Sequence, residues 1–251
     1  MTSKASTDGT LSESVPLIET KQPRIKRKYS GKRIGLKQLS QKVFTSITLK
    51  NEGLQLLLGK ISGAFDIIIM GESGSGKSNL TAEIVKDLVL STGEKCDYVS
   101  YEEGLEATTQ EMFINRHNLL QELGGNMGVW DHLSYDDLVH VMSKRQSPKI
   151  WVIDSLQTSG FTTEQTKALR KRFVLGKKGK IIIWLSWSLG KNAKGSVGGS
   201  VQYWAHIKIL VKGKIAFPIS SRFGGKKNYV IWEEGAIKAW GKKEFLKHKK
   251  N

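Results

Sequence analysis

Cysteine and long apolar runs are the two things this chain most lacks. Cys96 is the only cysteine among 251 residues, which excludes an internal disulfide and a zinc site built from several cysteines. The longest apolar stretches, such as residues 181–185, are far too short to cross a bilayer. The polar N-terminal residues show no signal-peptide pattern. We therefore expect no zinc, no membrane association and a reducing, cytoplasmic location.

Negative charge is also scarce. Lys and Arg number 40 against 23 Asp and Glu, which gives a formal net charge of +17 and a pI near 9.8. So strong an excess indicates a polyanionic partner. Binding to an anionic membrane would need a strongly amphipathic helix beside the charge, and the sequence shows none. We therefore expect a nucleic acid.

The composition divides the chain into three parts. Residues 1–33 are rich in Ser and Thr and then basic, which predicts a disordered arm that touches nucleic acid. Residues 34–238 are long enough for one α/β domain, and residues 239–251 form a second basic tail. The basic residues of the arm that we expect to contact nucleic acid are Arg24, Lys26, Arg27 and Lys28.

One octapeptide, GESGSGKS at residues 71–78, fits the phosphate-loop pattern G-x-x-x-x-G-K-[ST]. An apolar run at 66–70 precedes it and predicts a buried strand, and residues 78–89 follow with helical spacing. In this pattern Lys77 reaches the β- and γ-phosphates and Ser78 binds Mg²⁺. A chance glycine and serine turn is the alternative. The predicted nucleotide-binding residues are Gly71, Glu72, Ser73, Gly74, Ser75, Gly76, Lys77, Ser78 and Asn79.

Two carboxylates follow predicted strands. Asp154 ends the apolar segment 150–154, where a ligand of the Mg²⁺ shell belongs. Glu102 follows the segment 96–100, in a position to orient an attacking water. The alternatives are an aspartate at an ordinary turn and a surface glutamate at a helix N-terminus.

The order of the elements predicts the fold class. At least five strand–helix alternations precede three segments, 207–211, 215–217 and 228–232, that indicate antiparallel strands. This order predicts an α/β protein with a mostly parallel central sheet, flanked by helices, and an antiparallel C-terminal extension. Further helices are expected at 105–120, at 163–175 and from a cap at Ser134 to about residue 144. Residues 188–200 are glycine-rich and basic and predict a mobile loop.

Four segments in this order, GESGSGKS, YVSYEEG, IWVIDSLQT and a strand ending LSW, resemble the RecA-like ATPase superfamily. The segments look most like the ATPase core of RadA (Sms), and DnaB-type helicase cores come next. The likeness covers about residues 54–234. It implies a RecA-like P-loop fold, Mg-ATP hydrolysis with Glu102 as the water-activating residue, and Asp154 at the Mg²⁺. It also implies a homo-oligomer, ring or filament, that acts on DNA, with single strands favoured.

The resemblance extends to two further segments. SSRFG, residues 220–224, looks like the RadA motif KNRFG, so that Arg222 aligns with an arginine that reaches the γ-phosphate of a neighbouring subunit. Residues 188–200 correspond to a loop that lines the DNA channel, where Lys191 and Lys194 would neutralise phosphates. A surface arginine and an ordinary surface loop remain the alternatives.

The chain departs from the family at two positions of this region. The strand after the Mg²⁺ aspartate usually ends in Gln or His, and here Trp187 stands there, which donates one hydrogen bond and accepts none. Ser220 replaces the first lysine of the KNRFG motif. Three hypotheses follow: an ATPase in DNA recombination, repair or branch processing; a nucleotide-gated binding module for replication or packaging; and a small-molecule P-loop kinase. The basic arms and the lack of a lid segment argue against the kinase.

Overall fold

The computed structural model describes residues 33–177 and 179–250. The arm lysines and arginines predicted to contact nucleic acid, at positions 24 to 28, lie outside these residues. The chain divides into two units, Met1–Val43 and Phe44–Asn251. The described part of the first unit contains one short helix, α1 (Leu36–Ser40), whose leucines are exposed.

The second unit alternates strands and helices before it turns into an antiparallel hairpin region. Its strands are β1 (Asp66–Gly71), β2 (Cys96–Ser100), β3 (Met127–Asp131), β4 (Ile150–Asp154), β5 (Ile181–Leu189), β6 (Asn192–Ala193), β7 (Ile207–Lys212), β8 (Ile215–Ser221) and β9 (Tyr229–Val230). Its helices are α2 (Glu52–Leu58), α3 (Lys77–Thr92), α4 (Ala107–Gln110), α5 (Leu119–Leu123), α6 (Tyr135–Ser143), α7 (Thr163–Leu169), α8 (Gly195–Trp204), α9 (Glu233–Trp240) and α10 (Lys242–Lys250). Within the described ranges, no helix combines the length and the apolar character that a membrane span requires.

The strands form one sheet in the order β3-β2-β4-β5-β1-β7-β8-β9, with β6 paired to the end of β5. From β3 to β7 the neighbours are parallel, and β8 and β9 continue the sheet in antiparallel fashion. The predicted fold class is therefore confirmed. Since β1, β2, β4 and β5 are parallel, their carboxyl ends meet at one edge of the sheet, the edge where open α/β folds bind ligands.

Helices cover both faces of the sheet, so the central strands are mostly apolar. All six residues of β1 are buried. Ile67 and Ile69 face a cluster that includes residues of α2, α3 and α5, whereas Ile68 and Met70 face a cluster that includes residues of α6, α7 and α8. This alternation explains why residues 67–70 form an unbroken apolar run.

Two of the predicted helices are shorter or less regular than expected. The segment 105–120 begins its helix only at Ala107, continues from Glu111 to Arg116 as a π-helix and is interrupted before α5. Asn118 takes a left-handed conformation, with φ of 52°, at this interruption. Helix α7 similarly continues as a π-helix from Arg170 to Val174. The cap at Ser134 is confirmed, since its hydroxyl accepts a hydrogen bond from the Asp137 N–H of α6.

The prediction of a loop at residues 188–200 was wrong. Strand β5 continues to Leu189, a two-residue turn leads into β6, and α8 begins at Gly195. Glycine lowers helix propensity, and for this reason sequence reasoning missed α8. The helix forms because it packs closely on the sheet: a Cβ at Gly198 would lie 2.9 Å from the Ser186 hydroxyl and 3.2 Å from the Gln157 amide nitrogen. Close packing here requires glycine.

The segment predicted as a basic tail, residues 239–251, contains the end of α9 and all of α10. Phe245 of α10 is 1% exposed and belongs to a small apolar cluster with Ile215 of β8 and Ala236 of α9. The lysines of α10 therefore surround a buried anchor, and the chain stays packed on the fold beyond the predicted boundary at residue 238. The division into three parts otherwise remains a prediction.

Candidate active site

The phosphate-loop sequence lies where its pattern predicts, between the end of β1 and the start of α3. Gly76 is the N-cap of α3 and has φ of 113°, a conformation that residues with a Cβ rarely adopt. Helix α3 thus begins directly at Lys77. Backbone N–H groups at a helix N-terminus together with the helix dipole suit a bound phosphate.

Lys77 lies inside the loop with only 9% of its surface exposed. Its Nζ donates to the backbone carbonyl of Glu72 at 3.0 Å. Burial lowers the pKa of Lys77, while the charges of Asp154 and Glu102 act to raise it. A cation from α3 and carboxylates from the ends of β4 and β2 therefore interact at one edge of the sheet.

Asp154 is largely buried and accepts a hydrogen bond at Oδ2 from the hydroxyl of Tyr98 on β2. Burial raises the pKa of Asp154 to about 6, and the hydrogen bond from Tyr98 opposes this rise. A bound cation would favour the ionised form. Sequence reasoning missed Tyr98, because nothing in a strand sequence says which side chain meets a residue 56 positions away.

The chain offers two oxygen ligands that suit Mg²⁺, which is fewer than the ion needs. The hydroxyl of Ser78 and the carboxylate of Asp154 are hard oxygen donors of the kind that Mg²⁺ prefers. The described part of the chain has no group of three or more His, Cys, Asp or Glu side chains that could hold a metal. The remaining ligands would therefore come from nucleotide phosphates and water, as is usual for Mg²⁺ in such sites.

Glu102 follows β2 and meets Trp187 of β5. The Trp187 indole N–H donates to Glu102 Oε2 at 3.2 Å. The Trp187 backbone N–H donates to Gln157 Oε1 at 2.9 Å, and Trp187 is the β5 residue that pairs with Gly71 of the phosphate loop. Trp187 therefore connects the loop strand to the carboxylate predicted to orient water.

A cleft of about 530 Å³ opens beside the loop. Lys77, Ser78 and Asn79 line one side of it, and the π-helical segment after α4, including Arg116, lines the other. Lys214, from the turn between β7 and β8, also lines the cleft. Sequence reasoning missed Arg116 and Lys214, since neither belongs to a recognisable motif.

Arg222 is not part of this cleft. It directly follows β8, whose Ser221 pairs with Ile207 of β7, and Ile207 pairs with Ile67 at the start of β1. Arg222 thus lies near the amino ends of the parallel strands, where it is exposed, whereas Lys77 lies at their carboxyl ends. Within one chain these two residues are not brought together.

The two lysines of the predicted DNA loop lie near the phosphate loop. Lys191 occupies the turn between β5 and β6 and lines a hollow of about 340 Å³ together with the loop residues Glu72 to Ser75. The Nζ of Lys194 lies 5.4 Å from the centre of the Trp187 ring, a distance typical of a cation–π contact. The segment is thus adjacent to both the loop and Trp187.

No protein-family model matches this chain, and no curated protein matches it significantly in sequence. Solved structures do match. The KaiC-like protein PH0186 of the archaeon Pyrococcus horikoshii OT3 aligns with a TM-score of 0.55 and 19% identity over 73% of this chain and 94% of that one. The flagellar accessory protein FlaH of Methanocaldococcus jannaschii aligns with a TM-score of 0.53 and 19% identity over 75% and 92% of the two chains.

The fold is RecA-like. Both matches cover nearly the whole of the solved chains, and they agree with the mostly parallel sheet and its antiparallel extension. At 19% identity the likeness is one of fold alone. The closer likeness to RadA stays a prediction.

Proposed function

We propose that this chain is an ATPase that binds and hydrolyses Mg-ATP and acts on DNA. The observation that carries the proposal is the convergence of Lys77, Asp154 and Glu102, from three different elements, at the carboxyl edge of the sheet. A phosphate loop with a buried lysine binds polyphosphate, and two carboxylates beside it can serve the metal and the attacking water. The solved structures support the RecA-like fold in which such sites occur.

Each residue then has a distinct part in the reaction. The loop N–H groups and Lys77 hold the β- and γ-phosphates, and Ser78 and Asp154 would hold Mg²⁺, which neutralises phosphate charge when bound. Glu102 accepts a hydrogen bond from the attacking water and orients it in line with the γ-phosphate. The bond from Trp187 fixes the Glu102 carboxylate for this task.

Arg222 completes the site from a neighbouring copy in a ring or filament. Its position near the opposite edge of the sheet, away from Lys77 of its own chain, supports a role across an interface. An arginine supplied in this way stabilises transition-state charge and contributes about 10³-fold or more in rate. Hydrolysis by the isolated chain is therefore slow.

The charge distribution supports a DNA substrate. The net charge of +17 favours a polyanion, and Lys191 and Lys194 lie beside the nucleotide site. We propose that the substrate is single-stranded DNA in recombination, repair or branch processing, that the protein acts in the cytoplasm, and that it is related to RadA.

One observation favours a second function, a nucleotide-gated module that recruits replication or packaging proteins. The Trp187 indole has a single donor, and Glu102 already occupies it. A residue with no acceptor and no spare donor is poorly suited to report the γ-phosphate to the DNA loop. In that case DNA binds without stimulating hydrolysis.

The test is steady-state ATP hydrolysis by the full chain, with and without single-stranded DNA, for wild type, Glu102→Gln and the control Glu94→Gln, an exposed glutamate at the other end of β2. Stimulation by DNA that only Glu102→Gln abolishes supports the ATPase and the role of Glu102. Tight, salt-sensitive DNA binding without stimulation supports the binding module. Equal losses in both variants contradict the role of Glu102.

A further inference from the structure

Two polar groups of Lys214 donate hydrogen bonds to the phosphate loop, and a third accepts one from Ile231. Its Nζ donates to the carbonyl of Gly74, and its backbone N–H donates to the carbonyl of Ser75 at 3.1 Å. Its carbonyl accepts from the N–H of Ile231 at 3.0 Å. Lys214 also has φ of 64°, a conformation that costs energy in a residue with a Cβ and persists only where its surroundings impose it. The turn therefore holds this lysine at the rim of the loop.

The charge of Lys214 has no acidic partner among the described residues. The ion pairs found among the described residues all join other side chains, and the Lys214 ammonium donates to the backbone carbonyl of Gly74. It lines the same cleft as Lys77 and Ser78, on the side of the loop occupied by Gly74 and Gly76. An unpaired ammonium at the rim of a phosphate-binding cleft is available to an anion in that cleft.

The C-terminal helices set the position of this turn. The indole N–H of Trp240, the last residue of α9, donates to the carbonyl of Gly213 at 3.1 Å. The Trp240 ring packs against His248 of α10, with ring centres 4.5 Å apart, and against Phe217 of β8. Trp240 thus links the helices α9 and α10 to the residue that precedes Lys214.

We propose that Lys214 is a second cation of the nucleotide site, supplied by the same chain, which binds the polyphosphate and is positioned by Trp240. This inference rests on the proposed function, because it assumes that a nucleotide occupies the cleft. On binding, the Lys214 ammonium exchanges the Gly74 carbonyl for a phosphate oxygen. The C-terminal helices then affect nucleotide affinity without touching the nucleotide.

The test is equilibrium binding of ATP, and of inorganic tripolyphosphate as a competitor, by the full chain. Lys214→Gln weakens binding of both about tenfold, as expected for one charge-assisted hydrogen bond, and Lys214→Arg restores most of the affinity. The matched control is Lys208→Gln, which changes the charge equally and whose Nζ also donates to a backbone carbonyl, 3.2 Å away. It leaves binding within twofold of wild type.

A double-mutant cycle tests the positioning role. Trp240→Phe keeps the aromatic packing and removes the bond to Gly213, so it weakens ATP binding severalfold but adds little to Lys214→Gln. Three outcomes overturn the role of Lys214. Lys214→Gln could bind ATP with wild-type affinity, or Lys208→Gln could lose as much affinity as Lys214→Gln. The third is that Lys214→Gln weakens binding of ATP but not of tripolyphosphate. Additive losses overturn the role of Trp240. A wild-type chain that binds no ATP instead refutes the proposed function itself.

Discussion

The indole N–H of Trp187 and the Oε2 of Glu102 are joined by a hydrogen bond of 3.2 Å between neighbouring parts of the site. Trp187 is itself held from three sides: its N–H bonds Gln157, its carbonyl accepts from the N–H of Lys194, and its ring lies under the Lys194 ammonium. A side chain held in this way limits the motion of the carboxylate that it contacts.

Trp187→Phe therefore lowers the rate constant kcat for ATP hydrolysis about tenfold with little change in KM. The reason is that the phenyl ring keeps the packing but removes the bond that orients Glu102, and a bond to a charged group contributes about 1.5 kcal/mol. Steady-state kinetics over a range of ATP concentrations check this.

The matched control is Trp130→Phe. Trp130 of β3 also donates its indole N–H to a carboxylate, Asp97 Oδ2 at 2.8 Å, but at the edge strand of the sheet. Trp130→Phe should leave kcat unchanged. A rise in kcat for Trp187→Phe would instead mean that the indole restrains Glu102 from its task.

The lysines beside the phosphate loop give a prediction for DNA binding. Lys191→Gln weakens binding of single-stranded DNA and lowers the slope of log affinity against log salt by about 0.7, the value for one lost phosphate contact. Fluorescence titrations at several salt concentrations measure the slope. Lys95→Gln is the control. Lys95 is exposed and lies just before β2, at the amino ends of the parallel strands and therefore far from the phosphate loop. An unchanged slope for Lys191→Gln contradicts a phosphate contact there.

Local features were predictable from the sequence, and contacts between distant segments were not. The phosphate loop and the strand before it depend on neighbouring residues, so glycine spacing and an apolar run sufficed. The bond between Trp187 and Glu102 joins residues 85 positions apart, and that between Lys214 and Gly74 joins residues 140 apart. Only the packing of the sheet brings them together.

Intrinsic propensity misled where packing overrides it. The glycines of α8 predict a loop, yet Gly198 permits close contact with the sheet and the helix forms. The basic residues of α10 similarly conceal Phe245, whose burial holds that helix in place. One apolar residue in a charged segment is a weak signal in the sequence and a strong one in the fold.

Glu83 of α3 predicts a pH dependence of stability. Burial raises the pKa of Glu83, although the Tyr229 hydroxyl donates to its Oε2 at 2.7 Å and the Lys86 charge also lowers it. The folded state therefore holds this proton more tightly than the unfolded chain, whose glutamate pKa is about 4.3. The contribution of Glu83 to the free energy of unfolding is fully present below the unfolded pKa and is lost as pH rises through the higher pKa of the folded state.

Glu83→Gln removes this loss of stability at higher pH, because the amide oxygen still accepts a hydrogen bond from Tyr229 and carries no charge. The free energy of unfolding of Glu83→Gln, relative to wild type, should increase between pH 4 and pH 7 in urea titrations. The exposed Glu94→Gln serves as the control and should show no such trend. A difference for Glu83→Gln that stays constant with pH would show that the carboxylate is not penalised by burial.

Phe245 should control both the stability of the C-terminal helices and the nucleotide site. Phe245→Ala removes a ring that is 1% exposed and packs with Ile215 and Ala236, so we expect a loss of about 3 kcal/mol in the free energy of unfolding. Its neighbour Leu246 is 46% exposed, and Leu246→Ala should cost less than about 0.5 kcal/mol. Urea unfolding measures both free energies.

Because α10 supports Trp240, Phe245→Ala should also raise KM for ATP under conditions where the protein remains folded. Equal, small effects of the two substitutions would mean that α10 is not anchored as the structure indicates. A large loss of stability with unchanged KM would separate the anchor from the nucleotide site.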